Sequence, residues 1–160
     1  MAVDPSEFRT VIGHFATGVT VITAAADGEL HGMTANALTS VSLDPVLLLV
    51  CIDKTTNAHR VISARGAFAV NILGDHQEDV SRLFARKGEP ERGTLRGQGY
   101  RIGRTGSPIL TDCLAFMECT VTAVLEGGDH SIFLGEVVDE GVINEVKPLL
   151  FYRGGYHSLP

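Results

Sequence analysis

Residues 17–52, TGVTVITAAADGELHGMTANALTSVSLDPVLLLVCI, decide how this chain folds. The run TGVTVIT is rich in β-branched residues and ends at Asp27-Gly28, a pair that readily supplies the positive φ angles of a hairpin loop. Two antiparallel strands are therefore expected around that pair. The apolar run at 46–52, entered through Asp44-Pro45, has no polar interruption and reads as a strand buried on both faces. Between them lies HGMTANALTSVSLDP, where Thr34, Ala35, Asn36, Thr39, Ser40 and Ser42 crowd a segment patterned as strand and turn.

On the N-terminal side, Phe8, Val11, Ile12 and Phe15 recur at helical spacing behind Asp4 as cap and Pro5 in the first turn, so a short helix leads the chain. On the C-terminal side, TNAHRVISARG predicts a helix with Ala58, Val61 and Ile62 inward and Gly66 ending it. AFAVNIL reads as a strand. Val80, Leu83 and Phe84 mark the inner face of a further helix that ends near Ala85. Residues 86–108 are basic, glycine-rich and poor in apolar side chains, which predicts an exposed loop with at most a short strand around Tyr100. At 116–126 alternation returns, with Met117, Cys119, Val121, Ala123 and Leu125 on one face and Glu118, Thr120 and Thr122 on the other. A turn at Gly127-Gly128-Asp129 leads into the last strands. Short strands joined by hairpins, with two helices interposed and one in front, point to a mainly β, antiparallel barrel rather than an alternating α/β sheet.

Length and charge narrow the function. At 160 residues the chain suits one domain. Its 13 Lys and Arg against 19 Asp and Glu leave a formal charge of −6, which argues against a nucleic-acid partner. No run approaches the roughly 20 apolar residues of a membrane span, and the N-terminus shows no signal-peptide pattern, so no membrane partner is expected. Cys51, Cys113 and Cys119 are odd in number and make no C-x-x-C pair, which speaks against a disulfide framework and against a zinc site, and for a reducing cytoplasm. Standard nucleotide motifs are absent: G-Q-G-Y-R-I-G at 97–103 has its third glycine one place late for a dinucleotide fingerprint.

Some segments could hold a ligand. Small residues at 34–38 would let a flat ring lie against the backbone, although a polar edge strand needs the same residue types. Lys54, Thr55, Thr56 and Asn57 at the start of a helix suit an anion, and they equally suit simple N-capping. His130 ends a tight turn, where it could meet a ligand or stand idle.

Taken in order, FRTVIGHFATGVTVIT, HGMTANALTSVSLDPVLLLVCIDK, FAVNIL, GDHSIFLGEV and PLLFYRGGYHSL resemble the flavin reductase-like family with the FMN-binding split-barrel fold. The resemblance is to the small reductase components of two-component aromatic monooxygenases, and only residues 86–107 match weakly. It implies one domain over 1–160, a Greek-key split β-barrel with a few short α-helices, and a homodimer. It also implies that NADH or NADPH reduces FMN or FAD and that the reduced flavin passes to a partner monooxygenase. Carried over by position, Thr34, Ala35, Asn36, Ala37, Leu38, Ser40 and Val41 would line the isoalloxazine and ribityl chain, and Lys54, Thr55, Thr56 and Asn57 would hold the phosphate. His130 and Tyr156 would meet the nicotinamide nucleotide, with His31 and Ala85 beside it. No protein nucleophile is then required, because hydride passes directly between two stacked rings. For a 2′-phosphate the loop offers Arg86, Lys87, Arg92 and Arg96. Two competing readings are a split-barrel protein that binds flavin or haem without turnover, and a reductase with tightly held flavin acting on ferric chelates.

Overall fold

The computed structural model describes residues 1–160, and every sheet in it is antiparallel. Helix α1 (Pro5–Ile12) starts at Asp4, whose carboxylate accepts from the Ser6 amide at 2.7 Å. A two-residue strand β1 (Thr17–Gly18) follows, then the expected hairpin of β2 (Thr20–Ala26) and β3 (Glu29–Ala35), turning at Asp27 and Gly28 with φ of 53° and 79°. Next come β4 (Leu38–Leu43), β5 (Val46–Asp53) and helix α2 (Asn57–Arg65), which ends at Gly66 in the left-handed region. Strand β6 (Ala67–Ile72), a 3₁₀ turn (Asp75–Gln77) and helix α3 (Glu78–Ala85) complete the first half. The second half holds β7 (Tyr100–Ile102), β8 (Pro108–Leu110), the long β9 (Ala115–Gly127) and β10 (His130–Val142), and a closing hairpin of β11 (Leu149–Tyr152) and β12 (Gly155–Ser158).

Seven strands form one sheet in the order β3-β2-β6-β9-β10-β5-β4. Its two edges, β3 and β4, are joined in sequence by Asn36 and Ala37 alone. Three peptide steps reach at most about 11 Å, whereas the edges of a flat seven-stranded sheet stand about 29 Å apart. The sheet must therefore curl until its edges approach without pairing, and the result is an antiparallel barrel split between β3 and β4. Inside it, Ile22, Val50, Ile52, Phe68, Val70 and Phe133 pack together, and Ala58, Val61 and Ile62 of α2 close the core. On the opposite face Val21, Leu30 and Leu73 meet Val80 and Phe84 of α3. No helix is long and apolar enough to cross a membrane.

Four expectations are corrected here. Strand β5 is buried on one face only: Leu48, Val50 and Ile52 point into the barrel while Leu47, Leu49 and Cys51 stay half-exposed. In β9, Glu118 lies on the outer face yet is fully buried, while Leu125 is 51% exposed. A bulge leaves Thr122 unpaired, and from Val121 onward β9 runs past the end of β6, so its far arm has one neighbour instead of two. The 86–108 segment does form a strand at Tyr100, but it also covers the sheet, with Leu95 and Ser107 buried. Finally, α1 forms but ends at Ile12, short of Phe15, and buries nothing; Val11 is 70% and Phe15, just beyond it, 72% exposed. Cys113 and Cys119 are buried, and burial pushes their thiols up to about 11 and about 12, so neither is a nucleophile at neutral pH. Cys51 is half-buried.

Candidate functional site

The β3–β4 connection lies at the split. The Thr20 hydroxyl donates to the Ala35 carbonyl at 2.6 Å and the Cys51 amide donates to the Ala37 carbonyl at 3.0 Å, so the strip is fixed to strands on both sides of the opening. Between those anchors the Asn36 amide donates to Thr17 Oγ1 at 3.2 Å, and its own carbonyl oxygen has no partner in the chain.

Two clefts meet at Asn36. The larger, of about 860 Å³, runs between α1 and the strip and is walled by Gly13, Phe15, Thr17, Ala37, Leu38 and Gly154. The smaller, of about 320 Å³, lies under α3 and is walled by Met33, Thr34, Ala35, Ser81, Ala85 and Tyr156. Val19, Asn36 and Phe151 border both. Their combined size suits a drug-sized or cofactor-sized molecule, and the glycine and alanine walls admit flat rings close to the backbone. The smaller cleft is stiffly built. Thr34 Oγ1 donates to the carbonyl of Ser81 at 2.6 Å, the Ser81 hydroxyl is 2.6 Å from the Tyr156 hydroxyl, and Phe151 meets the Tyr156 ring edge-on at 5.4 Å.

A second cluster stands further along β5. The Thr55 hydroxyl and amide donate to Asp53 at 2.7 and 2.8 Å and hold its carboxyl below the usual range, with His130 and Lys87 adding to the effect. Thr56 caps α2 by accepting from the His59 amide at 3.2 Å, and Asn57 donates to the Gly88 carbonyl at 2.9 Å. Lys54 pairs with Glu126 at 2.6 Å. His130 faces Asp53 across the β10–β5 ladder and lies 2.7 Å from Asp129. The one Ser–His contact, His59 to Ser131 at 2.8 Å, is part of the barrel lining, with Ser131 only 4% exposed. It offers no accessible nucleophile.

The structure thus gathers Thr34, Ala35, Asn36, Ala37, Leu38, Ala85 and Tyr156 around two joined clefts. It places Lys54, Thr55, Thr56, Asn57 and His130 in the neighbouring cluster, with their side chains partnered inside the protein. Ser40 and Val41 line neither cleft; they sit on β4 at a break in its register with β5. Of the loop cations, Arg96 is committed to the carbonyls of Leu83 and Arg86, and Arg92 to the Asp27 carbonyl. Sequence reasoning missed Arg9, Phe15, Thr17 and Ser81. Thr17 and Phe15 read as ordinary strand and helix residues, and only the glycines around them, Gly13 and Gly18, signalled a surface left open.

His31 stands apart from both clefts. It is 7% exposed, opposite Ala24 on β3, and burial together with the nearby Arg96 and Arg60 lowers its pKa. A neutral imidazole in the fold and an ordinary one near 6.5 in the unfolded chain mean that acid favours unfolding. Its contribution is whole above about pH 6.5 and is lost as pH falls from there toward the lower folded-state pKa. Thermal melts between about pH 7 and pH 5 should therefore show a falling midpoint, with a shallower fall in His31→Gln. An equally steep fall in the variant would assign the acid sensitivity elsewhere.

A family model described as the flavin reductase like domain matches residues 12–160. A Rhizobium meliloti protein named "Probable flavin reductase" is 44% identical over 158 residues; the match covers 97% of this chain and 49% of that one, so this chain spans about half the length of that relative. The reductase subunit of a flavin-dependent monooxygenase from Mycobacterium tuberculosis is 42% identical over 159 residues, covering 98% of this chain and 83% of the relative. Among solved structures, an NADH:FAD oxidoreductase of Streptomyces globisporus superposes with a TM-score of 0.90 at 37% identity, over 100% of this chain and 98% of its own. The same oxidoreductase is also known in complex with NAD and FAD fragments.

Proposed function

This chain belongs to the flavin reductase-like family and is a flavin reductase drawing on NADH, and we propose from that premise how its own residues serve the reaction. The observation that carries the reading is the meeting of two clefts at Asn36, one for each planar partner. FMN or FAD lies against Thr34, Ala35, Asn36, Ala37 and Leu38, with Ser40 and Val41 along its outer side, and its phosphate reaches Lys54, Thr55, Thr56 and Asn57. NADH, or NADPH, enters through the smaller cleft against Tyr156 and Ala85 and extends toward His130 in the neighbouring cluster, while His31, buried apart from both clefts, takes no part. When bound, the two cofactors supply the redox chemistry, a hydride passing from the nicotinamide ring to the flavin.

What the protein does is hold and exclude. Ala35 and Ala37 present nothing larger than a methyl, so a ring can approach the strip. The free Asn36 carbonyl oxygen and its amide, which Thr17 orients, offer one acceptor and one donor to a ring's polar edge. Thr34, Ser81 and Tyr156 form a hydrogen-bonded wall that fixes the spacing of the two clefts, because each is tied to the next. With a net charge of −6, attraction of anionic nucleotides falls to local donors rather than to a broad positive field.

The domain spans 1–160, leading helix included, in the cytoplasm, where three free cysteines fit a reducing setting. The reduced flavin goes to a partner monooxygenase, a role supported by the reductase subunit among its relatives. A second copy of this chain covers α1, where Phe8, Val11, Ile12 and Phe15 would otherwise keep half or more of their surface in water. Sedimentation should give twice the 17.1 kDa chain mass, and Val11→Asp should shift it to monomer. A monomeric parent would refute the dimer. For the activity itself, purified protein mixed with NADH and either flavin should consume NADH only when flavin is present; no flavin-dependent loss with FMN or FAD would reject the assignment.

A further inference from the structure

The smaller cleft has a cation at its rim that none of the loop candidates accounts for. We propose that Arg82 binds the pyrophosphate of the nicotinamide nucleotide, the group that NADH and NADPH share. This rests on the reading that Tyr156 and Ala85 wall the nucleotide cleft. Arg82 sits on α3 between the cleft residues Ser81 and Ala85, and its guanidinium lies 4.9 Å from the centroid of the Tyr156 ring.

The ring beneath it is a rigid platform. Ser81, fully buried, holds the Tyr156 hydroxyl at 2.6 Å, and Phe151 meets the ring at 5.4 Å. A guanidinium over such a ring keeps its N–H fork free for two acceptor oxygens, the geometry a diphosphate offers. Its present ionic partner is replaceable. Glu78 lies 3.5 Å away, one turn earlier on the same helix, and both side chains are about half or more exposed, so the pair is weak. Of the loop cations, Arg96 is committed to the Leu83 and Arg86 carbonyls and Arg92 to the Asp27 carbonyl, and neither Arg86 nor Lys87 stacks on a wall of the cleft as Arg82 does. Arg82 is the cation held over the Tyr156 ring, where a dianion entering beside that ring would meet it.

The test is a titration of NADH and NADPH fluorescence against flavin-free protein, with turnover measured alongside. Arg82→Gln should weaken both nucleotides about tenfold, the scale of one charged contact, and Arg82→Lys should recover part of the loss. The Michaelis constant for flavin should stay within about twofold. A phosphate-free donor, 1-benzyl-1,4-dihydronicotinamide, should be oxidised by Arg82→Gln and the parent at similar rates. Unchanged nucleotide affinity, a loss confined to NADPH, or an equal loss with the phosphate-free donor would overturn the assignment. Failure of the parent to oxidise any donor would instead strike the reductase reading itself.

Discussion

Replacing Ala37 by Trp should abolish flavin binding while leaving the fold intact. Ala37 is exposed, walls the larger cleft and contributes only a methyl to it. Its structural duty is carried by its backbone carbonyl, which accepts from the Cys51 amide and survives any substitution of the side chain. An indole there would fill the space in front of Asn36 that a flat ring needs. We expect at least a hundredfold weaker binding of FMN and FAD, about 2.7 kcal/mol, read by quenching of flavin fluorescence. The unfolding midpoint should move by no more than about 2 °C, since an exposed position away from caps and core is usually within about 0.5 kcal/mol. Ala37→Gly, which leaves the space open, should bind flavin within a few-fold of the parent. Normal affinity in Ala37→Trp would place the flavin elsewhere.

Glu118→Leu should produce the largest loss of stability. The Glu118 carboxylate is fully buried on the outer face of β9, where it accepts from the amides of Arg104 and Thr105 at 2.9 and 3.0 Å and from the Thr105 hydroxyl at 2.7 Å. Those three donors belong to the turn between β7 and β8, so one side chain anchors the covering segment to the main sheet. Arg65 grips the same turn through the Thr105 carbonyl at 2.6 Å. Leucine would take the acceptor from the Arg104 and Thr105 amides, at about 1–3 kcal/mol for each unsatisfied group, while the Thr105 hydroxyl keeps Ser107 Oγ at 2.9 Å. Some of the turn will swing out to reach water, so we expect a loss of about 3–5 kcal/mol in all. At roughly 2–4 °C per kcal/mol for a chain of this size, the midpoint should drop by about 10–15 °C. Glu118→Gln keeps one acceptor and should fall between. A drop of less than about 3 °C in Glu118→Leu would show that the turn is held by other contacts.

These two positions also mark what the sequence could and could not reveal. Ala37 was legible because its signal is local: a run of small and hydroxyl residues between two strands reads as open backbone whatever lies around it. The same holds for the Asp27-Gly28 hairpin, the Asp4 cap and the Gly66 stop, each of which satisfies its own backbone within a few residues. Glu118 was not legible, because its three partners lie 13 or 14 residues upstream in a stretch whose composition reads as solvent-exposed loop. Alternation assigned it to the outer face correctly, but could not show that another segment covers that face. The apolar run of β5 misled for the opposite reason. Its outward residues Leu47, Leu49 and Cys51 look like core, yet no layer of the same chain lies over them.

The candidate site divides along the same line. Thr34 to Leu38 and Tyr156 converge on the clefts, because the β3–β4 link must sit at the split and the final hairpin packs beside α3. Arg9 and Thr17 come from a helix and a strand that read as ordinary secondary structure, and Phe15 from the bend between them, so nothing in them announced a cleft. Ser81 was hidden in the same way, as one polar residue on an otherwise amphipathic helix, although it links Thr34 to Tyr156. His31 shows the limit of position alone: three residues before Thr34, it turns to the other face of β3.

Crystals of this protein soaked with flavin and NADH offer the most direct examination of how the two partners meet. The isoalloxazine should lie against Asn36 and Ala37, with the dihydronicotinamide stacked on it from the side of Tyr156 and its C4 about 3 to 3.5 Å from flavin N5. A flavin seated away from that strip, or a strip occluded by side chains of a second copy, would contradict it.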